Sequence, residues 1–393
     1  GMSAAMPQQR NSLSLPEGVY KLQGSYTSQS AKLAANHRVT KASYIRVNSI
    51  RVASAAVASP STSKTKSMLG FSRKSVPQVV APPPPAARGE GIDYFVFPSG
   101  DSLCVCCLSN LDNEAAHKEK RLPSDPTCCA LNPYASSMDG LETLVGLESG
   151  EIHLIDALSL SLSSKFNASS GLNASRVIDI RWVPNMESRF VAGFGNGVLL
   201  VFDKDKDESQ KNATPTGDLS TTPETGFSIT HPKTSKNNPV ARWHIGKGPI
   251  NNIDFSTDGK MVVCCHDGHA RVFDFANERL LYSFRSHYGA MLCSAWSPDN
   301  QYLITGGEDD LVIAWSFPEK CAIARCNGHN SWISAVAFDT QHCEQSEENS
   351  NYRFHSIAQD GRICTWDLNE GNLVFSRKRT GATRRQSFGT PPS

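Results

Sequence analysis

Five times along this chain a polar turn residue is followed, six positions later, by a bulky apolar one. The pairs are Ser149/Ile155, Asn196/Phe202, Asp267/Phe273, Asp309/Trp315 and Asp360/Trp366. A tight turn feeding a half-buried strand requires this kind of fixed offset. The turn positions lie 47, 71, 42 and 51 residues apart. Two polar stretches without apolar periodicity, 204–239 and 340–350, account for the long spacings. With these set aside as surface-loop insertions, the last three spacings approach about 42 residues.

Each unit also opens on a strand-like run that ends in a turn, as in Val177–Pro184, Ile253–Gly259 and Cys293–Asp299. A β-branched or apolar strand such as Tyr302–Thr305 follows. Four short strands per unit and a period near 42 predict an all-β fold, a WD-repeat β-propeller. No stretch of twelve residues has helical periodicity.

Upstream, Ser43–Val47, Asp93–Phe97 and Ser102–Cys106 read as a degenerate first blade over 43–121. It is interrupted by 53–91, a Ser-, Ala-, Pro- and Lys-rich insertion expected to be disordered. Residues 122–376 hold five WD-type blades, 1–42 a basic, mostly flexible segment, and 377–393 a basic tail expected to be disordered.

Charge is unevenly spread. Residues 1–91 hold twelve Lys or Arg against Glu17 and Glu90, and 377–393 hold five with no acid. The chain as a whole is +1, so the ends carry +15 and the middle −14. An acidic folded region between basic tails argues against nucleic-acid binding. No apolar run is long enough for a membrane span, and no secretory signal is visible. Adjacent cysteines (Cys104/Cys106/Cys107, Cys128/Cys129, Cys264/Cys265) sit in apolar strand-like runs, which suits buried thiols in a reducing compartment better than disulfides. Glycosylation sequons at Asn167, Asn173 and Asn212 point weakly the other way.

In a WD blade a His ahead of the first strand and an Asp in the turn between the second and third strands pair beneath a Trp, and two copies in this chain preserve that pattern, one of them in part. The candidate sets are His329, Asp360 and Trp366, and His287, Asp309 and Trp315, with Ser356 and Thr305 as hydroxyl members. Their recurrence at repeat spacing, without a nucleophile-elbow motif, marks them as structural rather than catalytic. Cys104-x-x-Cys107 lacks the second pair of a metal site, and Gly193-x-Gly195-x-Gly197 lacks dinucleotide-binding spacing and reads as a turn. No cofactor is expected.

The segment Thr305–Val312 followed by Trp315-Ser316-Phe317 is more specific than a generic repeat. Together with Gly18–Leu22, Pro126-Thr127-Cys128, Leu144–Leu147 leading to Leu154-Ile155-Asp156, Arg181–Pro184, Asn238–Trp243 and Gly328–Trp332, it resembles one family. That family includes WD repeat-containing protein 20, the dystrophia myotonica WD-repeat protein and the fungal carbon-catabolite-repression WD protein. The likeness runs from about residue 18 to residue 373. It implies a non-catalytic regulatory subunit that binds and activates a ubiquitin-specific protease, beside a second WD-repeat protein. It also implies a last blade returning after a long linker, whereas this chain stops at Ser393. The expectation is therefore six blades of seven, and Gly1 ahead of Met2 fits a partial chain.

Two aromatics flank the His positions: Tyr288 directly after His287, and Trp332 three residues after His329. They either pack within their own blades or contact the protease. Ser387, after Arg384-Arg385-Gln386, and Thr390, before Pro391, fit phosphorylation motifs in an otherwise solvated tail. A general interaction propeller in signalling or ubiquitin ligation is the competing function. The expected location is cytoplasmic, nuclear or both, although the Ser-rich basic N-terminus also has a transit-peptide composition.

Overall fold

The computed structural model describes residues 12–15, 18–21, 43–48, 91–107, 117–135, 140–208, 227–232, 236–343 and 350–369. The strands form six antiparallel sheets and a separate hairpin of Ser12–Leu15 with Gly18–Lys21. Helix among these residues is confined to one 3-10 turn, Ala168–Ser170.

Blade 1 comprises Ser43–Asn48, Gly91–Ser99, Ser102–Cys107 and Lys118–Arg121. Blade 2 is Pro126–Leu131, Glu142–Leu147, Ile152–Asp156 and Ser161–Phe166. Blade 3 is Val177–Trp182, Arg189–Phe194, Val198–Asp203 and Ala241–His244, with Ser228–Thr230 as a fifth strand outside it. Blade 4 runs through Ile250–Phe255, Lys260–Cys265, His269–Asp274 and Arg279–Arg285. Blade 5 is Met291–Trp296, Tyr302–Gly307, Val312–Ser316 and Cys321–Cys326; blade 6 is Ile333–Phe338, Asn351–Ala358 and Ile363–Asn369. The first strand of each blade packs on that of the next, from blade 1 through blade 6, as propeller blades do.

In blades 2 to 6 the first strand shifts register near its start, at Pro126/Cys128, Val177/Asp179, Ile250/Asn252, Met291/Cys293 and Ile333/Ala335. A bulge at one repeated place twists every blade in the same way. Glycine at the matching place in the second strand of blades 2, 3 and 5 (Gly146, Gly193 and Gly306) lets the next blade approach. A Cβ on Gly193 would stand 2.7 Å from Ile250, and one on Gly306 would stand 2.4 Å from Ile333. Gly193 thus packs inside a strand, which corrects its reading as part of a turn.

The stretch 204–239 is more than a surface loop. Phe227 and Ile229 are buried within a cluster that includes Trp243 and Phe273, and Ser228–Thr230 pairs with Ala241–His244. Two apolar side chains on alternate residues fill the outer seam between blades 3 and 4, a signal too short to stand out from its polar neighbours. Within 340–350, Thr340 and Gln341 are exposed while Cys343 packs against the blade 5–6 core.

Blade 6 has an open face. By register, Ile357 and Ile363 correspond to Gly306 and Val312 of blade 5. Gly306 and Val312 are buried, but Ile357 is 42% exposed and Ile363 63%. A seventh blade would cover this face; among the described residues nothing does.

Polar groups also tie the first strands together. Asp179 of blade 3 accepts from the Ile253 N–H at 2.7 Å and the Asn252 amide at 3.1 Å. Asn252 accepts in turn from the Ser294 hydroxyl at 2.7 Å and the Ser294 N–H at 3.0 Å. Asp254 accepts from the Trp296 N–H at 3.3 Å. Burial pushes the Asp254 carboxyl up to about 6, although the Arg181 guanidinium pulls it down. A carboxyl raised on folding favours the folded state at low pH, and that contribution is lost as pH rises from about 3.8 through about 6. Asp254→Asn is therefore expected to stabilise the protein by about 1–2 kcal/mol at pH 7.5 and by almost nothing near pH 4. Denaturant unfolding at both pH values checks this; destabilisation at pH 7.5 would contradict it.

Candidate protein-interaction face

The recurring turn residues have a common local purpose. Each of the five side chains accepts a hydrogen bond from the backbone N–H two residues on: Ser149 from Glu151, Asn196 from Val198, Asp267 from His269, Asp309 from Leu311 and Asp360 from Arg362. Short side chains with an oxygen close to the backbone make this turn, which explains why Ser, Asn and Asp share the position. The residue between donor and acceptor lies in the left-handed region. It is Gly150, Gly197, Gly268 or Gly361 in four blades and Asp310, with φ of 60°, in blade 5.

Blade 6 adds a buried chain of polar groups to this turn. His329 Nδ1 donates to Asp360 at 3.1 Å, its Nε2 accepts from the Ser356 hydroxyl at 2.8 Å, and Trp366 Nε1 donates to the same hydroxyl at 2.8 Å. The Asn330 backbone N–H, then those of Arg362 and the His329 ring, hold the Asp360 carboxyl below the ordinary carboxylate range. The order Ser–His–Asp matches a hydrolase triad, but the chemistry does not. Ser356 is 1% exposed and its oxygen accepts the indole N–H, so a substrate carbonyl has no approach to it.

The blade 5 set differs from the sequence expectation. Trp315 Nε1 donates to Thr305 Oγ1 at 2.8 Å, as in blade 6, yet the His287 ring takes no part. His287 is exposed and reaches Asp309 through its backbone N–H at 3.2 Å. Gly289, with φ of 68°, turns the loop and carries the ring outward.

Blades 2, 3 and 4 use residues that the sequence reading missed. In blade 3, Asn173 and Asn196 exchange amide hydrogen bonds at 3.2 and 3.0 Å. In blade 2, Ser124 Oγ accepts from the Ser149 N–H. In blade 4, Asp267 pairs with Arg271 of its own third strand at 2.6 Å. Asn173 could have been found, since it stands four residues ahead of Val177 just as His329 stands four ahead of Ile333. Asn167 and Asn173 are buried, and Asn167 bonds to Gly150, Leu172 and Asn173, so neither sequon presents its amide for glycosylation. Asn212 lies outside the described residues, as do Ser387, Thr390 and nearly all of 53–91.

All these ties lie at one end of the blades, where Tyr288 and Trp332 also sit. Tyr288 is 75% exposed and Trp332 46%. The Tyr288 loop is pinned at both sides: Ser286 Oγ donates to the Gly289 carbonyl at 2.7 Å, and the Ala290 N–H donates to Glu308 at 3.0 Å. The Trp332 carbonyl accepts from the Gln359 N–H at 3.0 Å. Both aromatics are thus offered to solvent from fixed backbones.

Residues 238–274 and 278–316, which lie in blades 3 to 5, match the model of the WD domain, G-beta repeat. The chain carries WD repeats. It is 34% identical over 285 residues to the UBP9-binding protein bun62 of Schizosaccharomyces pombe, covering 70% of this chain and 52% of that relative. This WD-repeat protein therefore spans about half the length of the relative. Among its described residues no group of three or more His, Cys, Asp or Glu is placed to hold a metal, and no helix is long and apolar enough to cross a membrane.

Proposed function

We propose that this WD-repeat protein is a non-catalytic scaffold that binds and activates a ubiquitin-specific protease through the face bearing Tyr288 and Trp332. The observation that carries the reading is the exposure of two large aromatics on rigid turns at one end of the blades. Tyr and Trp are the residue types that dominate interface energies, and solvent-exposed ones on fixed supports lose little entropy when covered. The choice of partner rests on the family resemblance and on similarity to a protein named for binding UBP9. A second WD-repeat protein joins the complex, which acts in the cytoplasm, the nucleus or both.

Tyr288→Ala/Trp332→Ala is expected to weaken binding of the ubiquitin-specific protease at least about 30-fold, because each anchor contributes roughly 1–2 kcal/mol. The unfolding midpoint should be unchanged. Calorimetry measures the affinity, and hydrolysis of a fluorogenic ubiquitin substrate measures activation. Wild-type affinity in a folded double variant would refute this use of the face.

A further inference from the structure

In blades 2 to 6 the residue just ahead of the turn residue donates its backbone N–H to the carbonyl of the residue just before the first strand. The pairs are Glu148 to Asp125, Gly195 to Arg176, His266 to Pro249, Glu308 to Ala290 and Gln359 to Trp332. Gly195 makes this tie with no side chain at all, so the blade fold requires none at that place.

Blade 5 uses the side chain as well. The Glu308 carboxylate accepts from the Ala290 N–H at 3.0 Å, so Ala290 is held at both its N–H and its carbonyl. Gly289 leaves the path open: a Cβ there would stand 2.8 Å from the Glu308 carboxylate oxygen and 2.9 Å from the Glu308 Cβ. At the other end of the loop the Ser286 N–H donates to the Gly268 carbonyl at 2.8 Å, and the His287 N–H donates to Asp309 at 3.2 Å. Tyr288 stands between these two fastenings, 75% exposed, and its ring has no aromatic partner among the described residues. An anchor without packing of its own takes its direction from the backbone beneath it.

We propose that Glu308 is a positioning residue for partner binding: its carboxylate fixes the backbone under Tyr288 and so sets how tightly the ubiquitin-specific protease is held, acting through Tyr288 rather than by contact with the partner. A loop already fixed in its bound form loses less freedom on association, and the affinity gained is the ordering cost avoided. This role rests on the proposed binding through Tyr288.

In the free protein, Glu308→Ala should speed hydrogen exchange at the Ala290 amide about tenfold, with the unfolding midpoint nearly unchanged. Its affinity for the protease should fall about fivefold. Glu308→Gln drops the charge but keeps an acceptor oxygen, and it should recover most of both losses. In a Tyr288→Ala background, Glu308→Ala should weaken binding no further, because the anchor it positions is gone. Wild-type affinity in Glu308→Ala would overturn the proposal, and so would unchanged exchange at Ala290. Binding as weak in Glu308→Gln as in Glu308→Ala would assign the effect to charge, and equal losses with and without Tyr288 would assign it to direct contact; either overturns the positioning role. Any of these results beside weakened binding in Tyr288→Ala removes this inference alone, whereas wild-type affinity in Tyr288→Ala removes the proposed use of the face with it.

Discussion

His329→Ala is expected to destabilise the protein by about 3 kcal/mol. It leaves the buried Ser356 hydroxyl without its imidazole acceptor and opens a void where the buried His329 ring stood, while Asp360, which reaches solvent, loses only its ring partner. Ser356→Ala should be milder, about 1–2 kcal/mol, because Trp366 loses one acceptor while the His329–Asp360 pair survives. His287→Ala, at the equivalent place in blade 5, should change stability by less than about 0.5 kcal/mol, since only the His287 backbone makes the tie and alanine retains it. Denaturant unfolding of the three variants gives the ranking. A His287→Ala effect as large as that of His329→Ala would mean that the two blades share one network after all.

The second large effect lies between blades. Gly306→Ala would set a methyl 2.4 Å from Ile333 Cγ2 and 2.6 Å from its Cβ, with the Cys293 sulfur at 2.9 Å. The Ile333 Cβ is fixed to its backbone and the branched Cγ2 is stiff, so relief requires the blade 6 strand to shift away from blade 5. The expected loss is about 3 kcal/mol, at the upper end for overpacking. Gly259→Ala is the control: it has φ of 86° but nothing within 4 Å, so it carries only the left-handed backbone penalty of about 1 kcal/mol. If the two substitutions destabilised equally, backbone conformation rather than inter-blade packing would explain both.

The repeat was legible because its signal is local. Asp267, Asp309 and Asp360 close their turns on atoms two residues away, and Phe273, Trp315 and Trp366 follow at a distance fixed by one short turn. Blade 1 was also readable from its alternating strands, despite the long stretch between Ser43–Asn48 and Gly91–Ser99. What escaped depends on contacts between distant segments. Phe227 and Ile229 gain meaning only from the slot made by Trp243 and Phe273. The Asn173–Asn196 pair does the work of His and Asp with neither residue type present.

His287 shows the opposite failure, a residue in the expected place whose ring does something else. Gly289 redirects its loop, and no composition or spacing rule reports where a ring points after a left-handed turn. The same turn exposes Tyr288. The most informative feature of the candidate face thus comes from the departure of blade 5 from the repeat.

The central claim is that this WD-repeat protein is a scaffold for a ubiquitin-specific protease. Affinity purification of the full chain from cells under mild conditions, read by mass spectrometry, tests it most directly. The account predicts recovery of a ubiquitin-specific protease that is depleted in the Tyr288→Ala/Trp332→Ala eluate. Recovery of a reproducible set of partners containing no such protease would contradict it.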